Sequence, residues 1–238
     1  MTTVDTARRM AEPVYDVGGR FMLDGATFER GAEIGLPGMV FYFCGRGGVL
    51  GPVDADHVTA EFGVFAPGTV RENWEAGSAV MAPADAAREF IACGHDWGRA
   101  NLPEHLDARR LAELARRVVD ATGEDAPELF AGWRDLPWPD DDRAAALHGI
   151  HLLRELRGGL HVRSLRQVGM APHEAVIVRQ GEGMAALFGW PEPHPDPERA
   201  RAAWDAAEQD TNERFAELLA GLDEHEQDEL VEALQAAV

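Results

Sequence analysis

Residues 142–157 read DRAAALHGIHLLRELR, and this segment decides the fold class. Its apolar side chains recur with the roughly 3.6-residue period of an α-helix. The acidic run Asp140–Asp142 suits the N-terminus of that helix, where the helix dipole favours negative charge. The pair Gly158-Gly159 predicts that the helix ends near Arg157.

Helical periodicity also dominates the rest of the chain, and strand patterns are nearly absent. The predicted helices are Thr3–Glu12, a second one that starts at Pro13, Met39–Cys44, one capped by Asp54, Pro83–Arg99, Leu106–Ala121, Pro127–Trp133, Val162–Gln167, Pro172–Gln180, Glu198–Leu219 and Glu224–Ala236. We therefore predict an all-α protein, built as a multi-helix orthogonal bundle.

Prolines divide the chain near its C-terminal end. The segment Trp190–Pro197 holds four of them, which excludes a helix and predicts a stiff, extended linker. We expect a helical ligand-pocket domain over residues 1–189, the linker over 190–197 and a C-terminal helical hairpin over 198–238. The hairpin is expected to pack on the core or on the partner subunit of a homodimer.

The composition limits the classes of partner. The 238 residues include 42 acidic and 22 basic side chains, which gives a net charge of −20. That charge repels phosphates and anionic lipid surfaces, so we expect neither nucleic-acid binding nor membrane binding. The sequence shows no signal-peptide pattern, no apolar run long enough to span a membrane and no CxxC motif. These features predict a cytoplasmic protein.

The central segment also carries the main candidate site. On a helix that turns about 100° per residue, His148, His151 and Glu155 fall within an arc of about 60°. A carboxylate beside an imidazole can orient the ring and tune its pKa for acid–base chemistry. We predict that these three residues line one wall of a cavity as catalytic groups. His161 is expected to join them where the chain folds back after the glycines.

Two other interpretations of this cluster remain open. Two imidazoles and a carboxylate on one helix face could supply half of a metal site, but the sequence has neither HExxH nor paired ExxH motifs. We predict no metal and no cofactor, with a metal or a haem at the histidines as the less favoured alternative. The cluster could instead be structural, with its groups satisfying one another inside a helical core.

Arginines and aromatic residues are the candidate ligand-binding groups. Arg154 and Arg157 would hold an anionic or carbonyl group of the substrate. Arg46 could also meet an anion, although its glycine-rich segment Cys44–Gly51 lacks the Lys-Ser/Thr ending of a phosphate-binding loop. The predicted aromatic contributors to the pocket are Tyr42, Phe62 and Trp138.

A second candidate lies in Cys93–Arg99, where His95 and Asp96 stand side by side. Adjacent residues on a helix do not face one another. A lone cysteine such as Cys93 is more often a small core residue than a nucleophile. We favour a structural role for this segment.

Four segments resemble those of a family of uncharacterised actinobacterial proteins of the helix-turn-helix type. They are Glu12–Tyr15, the turn Gly45–Val53, Leu136–Pro139 and Leu152–His161. The matching positions in and near the last segment are His148, Arg154, Glu155, Arg157, Gly158 and His161. The resemblance covers most of the chain and implies a helical fold, an actinobacterial source and no agreed activity.

The C-terminal part, Ala207–Leu230, is similar to the dimerisation helices that close MarR-type winged-helix regulators. Such regulators carry a helix-turn-helix and a wing before these helices, whereas here only the proline-rich linker stands in that place. The similarity implies a degenerate winged-helix region at the C-terminal end. No recognition helix or basic wing is predicted to enter a major groove.

Three hypotheses about function follow. The first is an enzyme of actinobacterial specialised metabolism that uses acid–base chemistry on a small organic substrate in an apolar pocket. The second is a MarR-like ligand-responsive transcription regulator, or the remnant of one. The third is a self-resistance protein that sequesters a ligand without converting it.

Overall fold

The computed structural model describes residues 2–238, which form thirteen α-helices, two short 3-10 turns and no β-strand. The helices are α1 (Thr3–Arg20), α2 (Gly25–Glu33), α3 (Met39–Gly47), α4 (Ala55–Phe62), α5 (Pro67–Ser78), α6 (Pro83–Asn101), α7 (Ala108–Asp120), α8 (Glu128–Arg134), α9 (Asp142–Gln167), α10 (Pro172–Gln180), α11 (Glu182–Leu187), α12 (Pro197–Leu219) and α13 (Glu224–Ala236). The predicted all-α bundle is confirmed.

Helix α9 is the axis of the bundle. Its N-cap is Asp141, whose carboxylate accepts a hydrogen bond from the Ala144 N–H at 2.8 Å. Residues 144–153 are all buried, so this half of the helix is covered on every side, as in the centre of a domain. The helices α1, α4, α6, α7, α8 and α12 pack around it.

The pair Gly158-Gly159 does not end α9, contrary to the prediction. Both glycines keep right-handed helical geometry, and the predicted separate helix Val162–Gln167 is the last part of α9. Gly159 is small because α9 passes close to Pro127, whose Cβ would lie 2.3 Å from a Cβ added at this glycine. The chain turns instead at Gly169, where φ is +71°.

The predicted boundary at Pro13 is also wrong, because α1 continues through this proline to Arg20. An internal proline removes one helical hydrogen bond. The same helix buries Met10, Val14 and Val17 completely and packs against α9, α12 and α13. Burial of such side chains stabilises by roughly 1.5–3 kcal/mol each, which offsets the cost of the proline.

The helices α3, α4 and α5 pack around a largely aromatic core. Its buried members are Phe41, Tyr42, Phe43, Phe62, Phe65, Val70 and Trp74. Asp54 caps α4 as predicted, since its carboxylate accepts a hydrogen bond from the His57 N–H at 2.9 Å. This aromatic core holds α3 at a fixed distance from the central helix.

The C-terminal helices lie on the core of the same chain. Helix α12 packs against α1, α9 and α10, and α13 packs against α1 and α7. Residues 190–196 form no helix, as their prolines predict. The division into domains at this segment and the homodimer stay predictions. None of the helices within residues 2–238 combines the length and apolarity needed to cross a membrane.

Candidate functional site

A cavity of about 280 Å³ lies between α1, α3, α4, the second half of α9 and the helices α10 to α12. Its charged and polar wall includes Arg46, Arg154, Glu155, Arg157, His161 and Glu208. Its apolar wall includes Tyr42, Phe62, Phe65, Leu165, Phe188 and Trp204. The cavity therefore combines a cluster of charged groups with aromatic and aliphatic surface.

A buried ion pair joins α3 to α9 at the cavity wall. The Arg46 guanidinium contacts both carboxylate oxygens of Glu155, at 3.1 Å through Nε and 2.9 Å through Nη2. Glu155 is 1 % exposed and Arg46 is 8 % exposed. The remaining Arg46 nitrogen donates to the Tyr42 hydroxyl at 3.2 Å, and the guanidinium lies 4.4 Å from the centre of the Phe62 ring.

A second guanidinium reaches the same carboxylate. Arg154 Nη1 lies 2.6 Å from Glu155 Oε1. The stem of Arg154 packs against Gly18 of α1, where an added Cβ would lie 2.9 Å from the Arg154 Cβ. Glycine at this position lets α1 approach α9 closely enough to fix the arginine. Two cations thus share one buried anion, and the three groups together carry one positive charge.

The electrostatics keep Glu155 ionised. Burial alone would raise the pKa of this carboxyl, but the attraction of Arg46 and Arg154 outweighs burial and lowers the pKa to about 2. The group is a carboxylate at any physiological pH, so it is a poor general acid and a weak base. Its role in this geometry is to hold the two guanidinium groups.

Next to this ion cluster, α9 and α12 form a second polar group. Arg157 Nη2 lies 2.8 Å from Glu208 and 3.1 Å from the Asn212 side-chain oxygen. His161 Nδ1 lies 3.0 Å from the Thr211 hydroxyl. Burial is the main cause that lowers the pKa of His161 to about 4, so the imidazole is neutral at pH 7.

Not every predicted site residue lies at the cavity. The structure brings together Glu155, His161, Arg154, Arg157, Arg46, Tyr42 and Phe62. His148, His151 and Trp138 do not line it, which corrects the prediction of one common wall. Residues that share a helix face need not line the same cavity. Each residue adds about 1.5 Å along the helix axis, so His148 lies about 10 Å from Glu155 in that direction. The catalytic roles assigned from the sequence stay predictions.

The two histidines that lie outside the cavity are packed in the core. His151 is fully buried, with its ring 5.4 Å from that of Phe21 and 4.7 Å from that of Trp133. His148 Nδ1 lies 3.0 Å from His95 Nε2, and its ring lies 4.9 Å from that of Trp138. These two residues are therefore packed in the core, although His148 Nε2 and both ring nitrogens of His151 have no hydrogen-bond partner within residues 2–238.

The weaker candidates show no activated group. Asp96 pairs with Arg99 at 2.7 Å and not with the neighbouring histidine. Burial raises the pKa of Cys93, and it raises the pKa of Cys44 to about 11, so neither thiol is a thiolate at neutral pH. Within residues 2–238 no group of three or more His, Cys, Asp or Glu side chains is arranged to hold a metal ion.

The sequence analysis missed the contributions of α1, α10, α11 and α12 to the cavity. Trp204 and Glu208 of α12 are four residues apart and could have been found as neighbours on one helix face. Tyr15 and Phe188 carry no such signal, because only the tertiary packing brings them to the cavity.

The burial of His151 predicts acid sensitivity. Burial is the main cause that lowers its pKa from 6.5 to about 4, although the negative charge of Glu155 acts in the opposite direction. In that pH range the unfolded chain binds more protons than the folded one, so stability falls as the pH falls. We expect His151→Leu to abolish about 2 kcal/mol of the stability loss between pH 7 and pH 5.

Denaturant unfolding at the two pH values measures this difference. His225→Leu is the control, because that imidazole side chain is 82 % exposed, and its pH dependence should match that of the wild type. A His151→Leu protein that loses as much stability on acidification as the wild type would contradict this account of the core.

Comparison with known proteins identifies one family that matches the chain. Residues 5–238 match the profile of a helix-turn-helix family. No curated protein and no solved structure matches the chain. The match confirms the helix-turn-helix part of the resemblance, whereas an actinobacterial source and a MarR-like C-terminal part stay predictions. Since the matched range is nearly the whole chain, this protein belongs to a helix-turn-helix family.

Proposed function

We propose that this protein binds a small organic anion in the cavity beside Arg46, Arg154 and Glu155. The observation that carries the proposal is that both guanidinium groups contact the same buried carboxylate. A positive charge remains after they pair, in a place where water screens it weakly. A ligand carboxylate, sulfonate or phosphate would neutralise it through charge-assisted hydrogen bonds.

The rest of the cavity favours a ligand with an apolar body. Phe62, Phe65, Phe188 and Trp204 present aromatic surface in the same cavity, and the rings of Phe62 and Trp204 lie directly against Arg46 and His161. Pockets for small organic molecules typically combine such surface with a few polar groups that fix the orientation. An inorganic anion would leave this surface without a partner, so the lining supports an aromatic or aliphatic acid.

The lining supports binding more than turnover. An acid–base enzyme of specialised metabolism, the first hypothesis from the sequence, needs a group that exchanges a proton near pH 7. Glu155 is held ionised and His161 is held neutral, while His148 and His151 lie outside the cavity. Sequestration of a ligand and sensing of a ligand both fit this arrangement.

The family match favours a second candidate, a ligand-responsive regulator that binds DNA. Helices α9 and α10 are joined by residues 168–171 with Gly169 at the turn, a connection typical of helix-turn-helix units. However, the run Ala175–Val178 in α10 is buried, so this helix presents little surface to a DNA groove. The net charge of −20 also opposes DNA binding.

A dye that combines an aromatic body with an anionic group tests the main proposal. We expect 8-anilinonaphthalene-1-sulfonate to bind the protein, and Arg154→Met to weaken this binding about tenfold or more because the excess charge disappears. The neutral dye N-phenyl-1-naphthylamine should bind both proteins equally. Fluorescence titrations of the folded proteins, checked by circular dichroism, measure both affinities. Equal sulfonate affinities for the two proteins would overturn the proposal.

A blocking variant gives an independent control. Gly158 lines the cavity, and an added Cβ there would meet no atom within 4 Å. Gly158→Leu should therefore fill the cavity and abolish dye binding, while the helix is stabilised by roughly 1 kcal/mol through the loss of a glycine. Gly68→Leu is the matched control, because Gly68 is also open but lies outside the cavity. Its dye binding should be unchanged.

The regulator candidate has a separate test. A mobility-shift titration with the DNA upstream of the protein's own gene, at about 50 mM salt where phosphate contacts are strongest, should give no shift. A shift that is specific for that DNA and weakens with added salt would establish the regulator and contradict the expectation.

A further inference from the structure

Three residues of α9 form a polar stripe along the cavity. Arg154, Arg157 and His161 follow one another at spacings of three and four residues, which places them within an arc of about 60°. All three line the cavity. Gly158 lies beside the stripe, next to Arg154, and leaves open space where other residues would have a side chain.

The hydrogen bonds of His161 fix which ring nitrogen carries the proton. The Thr211 hydroxyl donates its hydrogen to the Ala207 carbonyl at 2.7 Å, so it can only accept from His161 Nδ1 at 3.0 Å. Glu208 Oε1, a carboxylate oxygen that also only accepts, lies 3.3 Å from the same Nδ1. Both neighbours therefore require a hydrogen on Nδ1, and the neutral ring has a free lone pair on Nε2.

That lone pair lacks a partner. Nε2 of His161 is buried, and it has no hydrogen-bond partner among residues 2–238. The Nε–H groups of Arg154 and Arg157 are buried without a partner in the same described range. Unpaired buried polar groups of this kind cost about 1–3 kcal/mol each. The stripe thus contains two donors without a partner, of which Arg154 Nε lies against Gly19 of α1, and one acceptor without a partner at its far end.

From this pattern we infer that the ligand is an organic acid with a hydroxyl group at the end opposite its anionic group. This inference rests on the proposed function. The acid group would meet Arg154 and Arg157, and the hydroxyl would donate to His161 Nε2. The two ends of the stripe are about 10 Å apart along the helix, a distance that two fused aromatic rings can span. His161 would then be the specificity-determining residue for the hydroxyl group.

Three naphthoates that differ at one position test this inference. 6-Hydroxy-2-naphthoate can donate to His161, 6-methoxy-2-naphthoate can only accept, and 2-naphthoate can do neither. Calorimetric titration of the wild type should show about tenfold tighter binding of the hydroxy acid than of the other two. In His161→Phe, which keeps an aromatic ring beside Trp204, the three acids should bind alike. In the surface control His225→Phe the preference should persist.

The outcomes separate the two proposals. If the three acids bind the wild type with equal affinity, the role of His161 is refuted and the organic-anion site stands. If none of them binds and the sulfonate dye does not bind either, the site itself is refuted. If His161→Phe fails to fold, nitrogen NMR of the His161 ring in the wild type tests the role of His161 instead. The Nε2 signal must then have the shift of an unprotonated nitrogen and move only with the hydroxy acid.

Discussion

The buried pair of Arg46 and Glu155 is the interaction on which the site depends. It links α3 to α9 through two hydrogen bonds, and both side chains are buried at the cavity wall. Removal of one partner from a buried pair costs about 3–5 kcal/mol when the other charge stays buried and unpaired, as Arg46 would be without Glu155. The pair therefore constrains the position of α3 relative to α9. The aromatic core against which α3 packs constrains the same helix. Arg154 brings a second positive charge to the same carboxylate, so that the three groups together carry one positive charge.

The central helix has two different halves. Residues 144–153 are surrounded by other helices, and the two histidines in that half are packed among aromatic rings. The second half leaves the core and forms one wall of the cavity. The change occurs at Glu155, which belongs to both environments. This division explains why one helix carries core histidines and the residues proposed to bind a ligand on a nearly continuous face.

Sequence periodicity predicted the helices well, because apolar spacing reports directly on the faces that helices bury. It also placed Glu155, Arg154, Arg157 and His161 in one candidate site, since these residues lie within two turns of each other. The pairing of Arg46 with Glu155 joins residues 109 positions apart and has no local signal, although both were candidate site residues.

The errors have similar physical causes. Gly158-Gly159 was predicted as a helix end because glycine is common there, yet one of these glycines allows a close contact and the other borders the cavity. His148 and His151 share the helix face of Glu155, but they lie closer to the N-terminus of α9. There the surrounding helices cover that face, and helical periodicity alone does not report where this cover ends. For the polar stripe, the sequence spacing was sufficient to place Arg154, Arg157 and His161 on one helix face. It could not show which of their nitrogen atoms lack a hydrogen-bond partner.

The state of Glu155 tests the central claim most directly, because two guanidinium groups that share this buried carboxyl must hold it ionised. Carbon NMR of protein labelled at the glutamate carboxyl groups, assigned with Glu155→Gln, measures that state during acidification. With a pKa of about 2, the Glu155 signal should stay unchanged from pH 7 to pH 4, while exposed glutamates begin to titrate. A Glu155 signal that titrates together with theirs would contradict the account.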